Sequence, residues 1–169
     1  KLGGWYWECG FDRDPIKDLE YMRDWNLRAM YGAWDAMKNA DGVLPDHALG
    51  WAAFILGKRE SRRLLGEVIL ARGDLMGGRE YDDGCVPTGW KIDLHVPDPA
   101  FEKGFEGEAF ISKALFGEYP MPYWIPYRCL YSRNVPNLFM AGRCISVTHE
   151  ALGAVRVMRL AESGHFGAG

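Results

Sequence analysis

One stretch limits what this chain can fold into more than any other: LFMAGRCISVTHEALGAVRVM, Leu138 to Met158. It changes character three times. Leu138 to Ala141 is short and apolar, bounded by the turn signal Asn134-Val135-Pro136-Asn137 and by Gly142. That is the pattern of a strand buried in a parallel sheet. Gly142 permits a close backbone approach or an unusual dihedral. Ser146 and Thr148 are both good N-cap types, and Glu150 falls in the first turn of the helix they announce. From about His149 onward, Leu152, Val155 and Met158 form its buried face. Gly153 inside that helix costs about 1 kcal/mol relative to Ala, so something is expected to press against the backbone there. A helix N-terminus after a buried strand offers free N–H groups and a positive dipole end, suited to an anionic or electron-accepting ligand. Spacing alone favours a plain β-α unit in a core. His149 by itself reads as a structural hydrogen bonder sooner than as a catalyst.

Composition narrows the classes. The 169 residues are 48% hydrophobic and 14% aromatic, enough for one globular domain with a core or for a large piece of a bigger one. A formal charge of −3 without a basic stripe argues against nucleic-acid and membrane-surface partners. No apolar run is long enough for a transmembrane helix. Cys9, Cys85, Cys129 and Cys144 are scattered, without C-x-x-C or paired His spacing. No metal is expected, and free, packed thiols are the reading. Lys1 to Trp5 carries no initiator Met or signal peptide, and Gly167-Ala168-Gly169 stops without a closing element. The chain is therefore expected to be an internal or C-terminal piece of a longer protein, with no localisation signal of its own.

Along the chain, Trp5 to Gly10 predicts a strand or extended segment. Asp14-Pro15 reads as an N-cap followed by Pro at the first helical position. Ile16, Leu19, Met22, Leu27, Met30, Ala33, Trp34 and Met37 continue at helical spacing to Lys38, and Asn39 to Gly42 ends the helix. Trp51 to Leu56 and Leu64 to Leu70 are extended-strand candidates. Asp74-Leu75 opens a short helix. Val86 to Val96 is a strand with a turn at its start. Pro97 to Pro122 reads as a long loop with one short helix. Ile125 to Ser132 is strand-like.

Charges and aromatics supply the remaining candidates. If Lys58 to Arg63 is a strand, Arg59, Ser61 and Arg63 share one face, and Lys58, Glu60 and Arg62 share the other. Charges in such a run pair or line a cleft, unless the run is a solvated hairpin. Asp93 and His95 fall on one strand face, after Trp90. His95, Arg128 and His149 are candidates to exchange a proton with a substrate hydroxyl or carbonyl. Glu8, between aromatics, is a candidate for a buried, paired carboxylate. His47 and His165 read as structural or surface residues. Trp5, Trp7, Trp51, Trp90 and Trp124 support a different class, a non-catalytic carbohydrate-binding or interaction module with sugar-stacking surfaces.

The segment IPYRCLYSRNVPNLFMAGRCISVTHEALGAVRVM, Ile125 to Met158, resembles the C-terminal part of the FAD-dependent oxidoreductase family. That family is related to two-dinucleotide-binding-motif flavoproteins such as fumarate reductase flavoproteins. WYWECG at Trp5 to Gly10, GKRESRRLLGEVIL at Gly57 to Leu70 and GWKIDLH at Gly89 to His95 look like the same family in the same order. The resemblance thus runs from about Trp5 to Met158. It implies a strand returning to a Rossmann-like sheet beside the flavin and a helix whose N-terminus faces the pyrimidine edge of the ring, where reduction develops negative charge. By the same resemblance, Gly142 and Arg143 lie along the ribitol and pyrophosphate, with Ile145, Ser146, Thr148 and His149 near the ring. Leu152 and Gly153 lie in the first helical turns. Arg143 stands where related flavoproteins carry Asp, and its guanidinium is suited to phosphate. Arg59 and Arg62 are expected at the active-site cleft, gripping an anionic or polyhydroxyl substrate. The G-x-G-x-x-G loop of such proteins does not occur here, since Gly104 to Gly107 has the wrong spacing, and is expected upstream. The tail RLAESGHFGAG departs from the family.

These readings combine into a mixed α/β (α+β) chain. Residues 1–124 are a β-rich substrate or cap region with a long helix. Residues 125–169 are the C-terminal strand and helix of a Rossmann-like FAD-binding domain. The expected activity is hydride transfer between a small organic substrate and flavin. It is expected of a parent protein, with the rest of that chain as partner, and not of the isolated piece.

Overall fold

The first helix begins later than the Asp14-Pro15 spacing predicts: its N-cap is Asp18, and the turn ahead of it is opened by Asp14. Asp14 Oδ1 accepts the N–H groups of Ile16 (2.8 Å) and Lys17 (3.1 Å), and its carbonyl accepts that of Asp18 (3.0 Å). This turn leads into α1 (Leu19–Asp35), which widens into a π turn over Ala36–Ala40. The chain then leaves through Gly42 at φ 61°. The computed structural model describes residues 8–98 and 111–157. The expectations at Trp5 to Trp7, at 99–110, at Met158 and at His165 lie outside the described residues. The chain divides into two compact units, residues 1–61 with 95–113 and residues 62–94 with 114–169.

In the first unit, Met22 is the buried side chain of α1. Gly10, at φ 77°, turns the chain over it, and any side chain there would collide with Met22. Asn26 Nδ2 donates to the Met22 carbonyl (2.7 Å), and Lys58 Nζ donates to that of Pro15 (3.1 Å). Two strand expectations fail here. Trp51 to Leu56 is irregular and leaves Trp51, Phe54 and Ile55 exposed, with the Arg23 guanidinium 4.5 Å from the centre of the Phe54 ring. The charged run 58–63 pairs with no strand, so the alternation of faces assigned to Arg59, Ser61 and Arg63 does not apply.

In the second unit, α2 (Arg72–Met76) begins two residues before the predicted Asp74. Asp74 Oδ2 accepts the Ala71 N–H at 2.9 Å and so closes its first turn. Val86 to Val96 is broken at Gly89 into β1 (Gly84–Thr88) and β2 (Ile92–Pro97). Each finds a different partner. β1 pairs antiparallel with β4 (Tyr123–Pro126), with a bulge between Gly84 and Val86. β2 pairs with β3 (Ser112–Gly117), a strand inside the segment read as loop. Ile125 to Ser132 ends as strand at Pro126 and continues as a 3₁₀ turn, Tyr127–Cys129. Leu64 to Leu70 is extended but contributes only a bridge at its end.

The return strand is the main correction. Leu138 to Ala141 joins no parallel sheet. Asn137, in the left-handed region at φ 61°, folds the chain back so that Met140 N–H meets the Leu130 carbonyl (2.6 Å) and Ser132 N–H meets that of Leu138 (2.9 Å). The parallel contact comes later, at Val147 against Leu70. Leu70 N–H donates to Ser146 O (3.0 Å) and Thr148 N–H to Leu70 O (2.9 Å). The helix after it, α3 (His149–Val155), is capped as predicted, with Thr148 Oγ1 accepting the Ala151 N–H at 3.4 Å. Leu152 and Val155 enter a core with Leu70, Ile92, Ile125 and Cys129. Thr88 Oγ1 donates to the Ala154 carbonyl (2.9 Å), tying β1 to α3.

Arg128 holds this unit together from outside the core. Its Nε donates to Asp83 Oδ2 (2.9 Å), one Nη to Asp83 Oδ1 (2.8 Å), and its backbone N–H to Asp83 Oδ2 (2.9 Å). The Arg128 side-chain bonds pull the Asp83 carboxyl from 3.8 down to about 2. A carboxylate with a depressed folded-state pKa stabilises fully above its ordinary value and loses that contribution as pH falls through the folded one. The Asp83→Asn variant is therefore expected to be less stable than the wild type at neutral pH. The difference shrinks as pH drops from about 3.8 to about 2, as urea denaturation across that range would read. A gap of constant size would remove Asp83 ionisation as its source.

Candidate functional site

Three candidates far apart in sequence meet in the first unit. Glu8 Oε2 lies 2.7 Å from His95 Nδ1, and Glu8 Oε1 accepts from Arg59 Nη2 at 2.8 Å. Arg59 Nη2 also lies 3.3 Å from His95 Nδ1. A guanidinium only donates, so the two nitrogens are best satisfied by both pointing at the carboxylate between them. That assigns the Nδ1–H tautomer, and Nε2 becomes the accepting nitrogen of the ring. The side chains of His95 and Glu8 are 15% and 25% exposed, that of Arg59 47%. The histidine ring is therefore held on its inner side by a carboxylate that is itself held by an arginine. This is the arrangement that orients an imidazole to take a proton.

The fold explains why these residues can meet. His95 is carried by β2, which fixes its direction. Arg59 sits in the irregular run that replaces the predicted strand, and its guanidinium is free of strand register. Asp93, expected beside His95, has another role: its carboxylate and carbonyl both take Arg156 Nη2 at 3.2 Å. Arg62 is exposed in the second unit. Arg128 is corrected from a proton-exchange candidate to a structural tie. The hydrogen bonds and charge of Asp83 raise its already high pKa further, so the guanidinium keeps its proton.

The 142–153 segment lies in the second unit. Gly142 adopts φ 63° and opens a 3₁₀ turn, Gly142–Cys144. Arg143 and His149 are exposed, and Gly142 and Thr148 are half-buried. Ile145 and Ser146 are buried at 5% and 1% exposure, and the Ser146 hydroxyl has no hydrogen-bond partner among the described residues. A buried, unsatisfied hydroxyl needs an explanation. Leu152 and Gly153, which the resemblance set among the cofactor residues, face inward. Leu152 is in the core, and the space opened by Gly153 is taken by the backbone of Asp93, 2.7 Å from where a Cβ would stand. The pressure on the backbone predicted at this glycine is real, and its source is β2.

All four cysteines are thiols outside any disulfide, as expected, but only partly packed. Cys129 is fully buried, which pushes its thiol up to about 12, whereas Cys85 and Cys144 are exposed. Among the described residues no group of His, Cys, Asp and Glu could hold a metal, and no helix is long and apolar enough to cross a membrane. Trp51, Trp90 and Trp124 are exposed, and Trp5 and Trp7 lie outside the described residues.

The model of the family described as FAD dependent oxidoreductase matches residues 9–163, and the chain belongs to that family, whose cofactor is FAD. No curated protein and no solved structure matches the chain. The residues of the glycine turn fit the cofactor. Ser146 has an unsatisfied hydroxyl, Gly142 a left-handed backbone, and Arg143 an exposed guanidinium suited to phosphate. Glu8 is the member of the site that sequence patterns indicated least, its one signal being a carboxylate set among aromatic residues.

Proposed function

We propose that this chain supplies cofactor-side and substrate-side residues for the flavin-dependent oxidation or reduction of a small organic molecule. The observation that carries it is the convergence of Glu8, Arg59 and His95 in a chain of the FAD dependent oxidoreductase family. FAD, when bound, supplies the hydride chemistry. His95 takes or returns the substrate hydroxyl proton at Nε2. Glu8 holds the Nδ1–H and so keeps Nε2 as the accepting nitrogen of the ring. Arg59 donates to Glu8 and adds positive charge beside the place where an oxygen would deprotonate. On the cofactor side, Gly142, Arg143, Ser146, Thr148 and His149 are the residues assigned to FAD, with Ile145 behind them.

In this reading residues 125–169 are the C-terminal part of an FAD-binding domain, residues 1–124 serve the substrate, and sequence outside this chain provides the glycine-rich pyrophosphate loop. The test is direct. Purified full-length protein carrying this chain is expected to show oxidised-flavin absorbance that bleaches when its substrate is added anaerobically. Protein without that absorbance, which also binds no added FAD, would end the proposal.

A further inference from the structure

The second unit holds a cavity of about 460 Å³ lined by none of the residues assigned to the flavin or to proton transfer. That volume lies in the range of small-molecule sites. Its walls include Tyr81, Trp124, Pro120 and Pro122, with Arg79 and Glu80 also lining it. The walls are stiff. The prolines fix their own backbone. Gly84 lets the chain pass so near Trp124 that a Cβ there would stand 2.9 Å from the tryptophan Cβ. Such a cavity needs little ordering to receive a ligand.

Its chemistry is selective. Trp124 is 51% exposed, so a broad aromatic face is available without unfolding anything. Arg79 is not an open anion site: it pairs with Asp74 at 3.1 Å and lies 4.7 Å from the centre of the Tyr81 ring. Glu80, exposed beside it, repels a second negative charge. Hard anions therefore gain little, and a cation meets one solvated carboxylate and a Tyr81 ring that the Arg79 guanidinium already covers. What the cavity offers is an aromatic platform bordered by one group that donates hydrogen bonds and one that accepts them. A neutral ligand with an apolar face and a rim of hydroxyls matches all of this. We propose that the cavity binds a neutral sugar ring, stacked on Trp124 with its hydroxyls meeting Arg79 and Glu80.

The proposal is independent of the flavin reading and is tested on the full chain by calorimetry and tryptophan fluorescence. The probes are maltose, cellobiose and chitobiose, with glucuronate and a proline-rich peptide as contrasts. At least one neutral disaccharide is expected to bind saturably. Trp124→Ala is expected to weaken it by at least roughly tenfold, as loss of an aromatic anchor does, while Trp124→Phe keeps most of the affinity. Trp51→Ala, in the other unit, is expected to change nothing. Should Trp124→Ala fail to fold, Glu80→Ala at its exposed position reads the same site and is expected to weaken binding. The idea is overturned if none of the three disaccharides binds, if binding survives these substitutions, or if glucuronate or the peptide binds in their place.

Discussion

Replacing His95 by Gln is expected to slow flavin reduction by roughly 10²–10⁴-fold while FAD stays bound, the usual worth of a positioned acid or base. Glutamine keeps a polar side chain of similar reach, so the strand and its surroundings are preserved, but it cannot hold a transferable proton. Glu8→Gln should fall between the two. It retains an oxygen to accept the Nδ1–H across the 2.7 Å contact, yet loses the charge that binds Arg59. Arg59→Ala has two effects, releasing the carboxylate and removing a cation, so both kcat and KM should worsen. Anaerobic stopped-flow measurement of flavin bleaching separates chemistry from binding. Wild-type reduction rates in His95→Gln would make the cluster a structural tie and take the proton-transfer role away from it.

The second large effect is one of sign. Read from propensity alone, Gly153→Ala in a helix should stabilise by about 1 kcal/mol. In the folded chain the added Cβ lands 2.7 Å from the Asp93 carbonyl oxygen and 3.0 Å from the Asp93 nitrogen, both main-chain atoms. Neither can swing aside as a side-chain tip would. β2 is anchored by Ile92 in the core and by Arg156 on both the carboxylate and carbonyl of Asp93. Overpacking of this kind costs roughly 1–3 kcal/mol, more than the helix gains, so the variant should be the less stable protein. The midpoint of urea unfolding checks it. A rise in that midpoint would mean that α3 and β2 can separate at little cost.

Both predictions show which information is local. The turn at Asp14 ahead of α1, the exit at Gly42 after the π turn, the turn at Asn137 and the Thr148 cap each depend on a few neighbouring residues and their dihedral limits. Each was legible in sequence. The family motifs were legible for a related reason, because they lie in short contiguous runs. Strand partners were not. β1 could have paired with its neighbour β2, yet it pairs with β4. The alternation along Lys58 to Arg63 carried no information about whether any strand would come alongside.

By itself, then, the sequence determined where the backbone turns, which segments coil, and which family the chain joins. These depend on local torsional preference and on residue order. Only the tertiary structure decided that Glu8 reaches His95 across 87 positions, that Arg128 serves Asp83 rather than a substrate, and that Gly153 makes room for Asp93. Each of those contacts depends on closing a long loop. Its free energy is set by everything packed around the closure and not by the residues on either side in the chain.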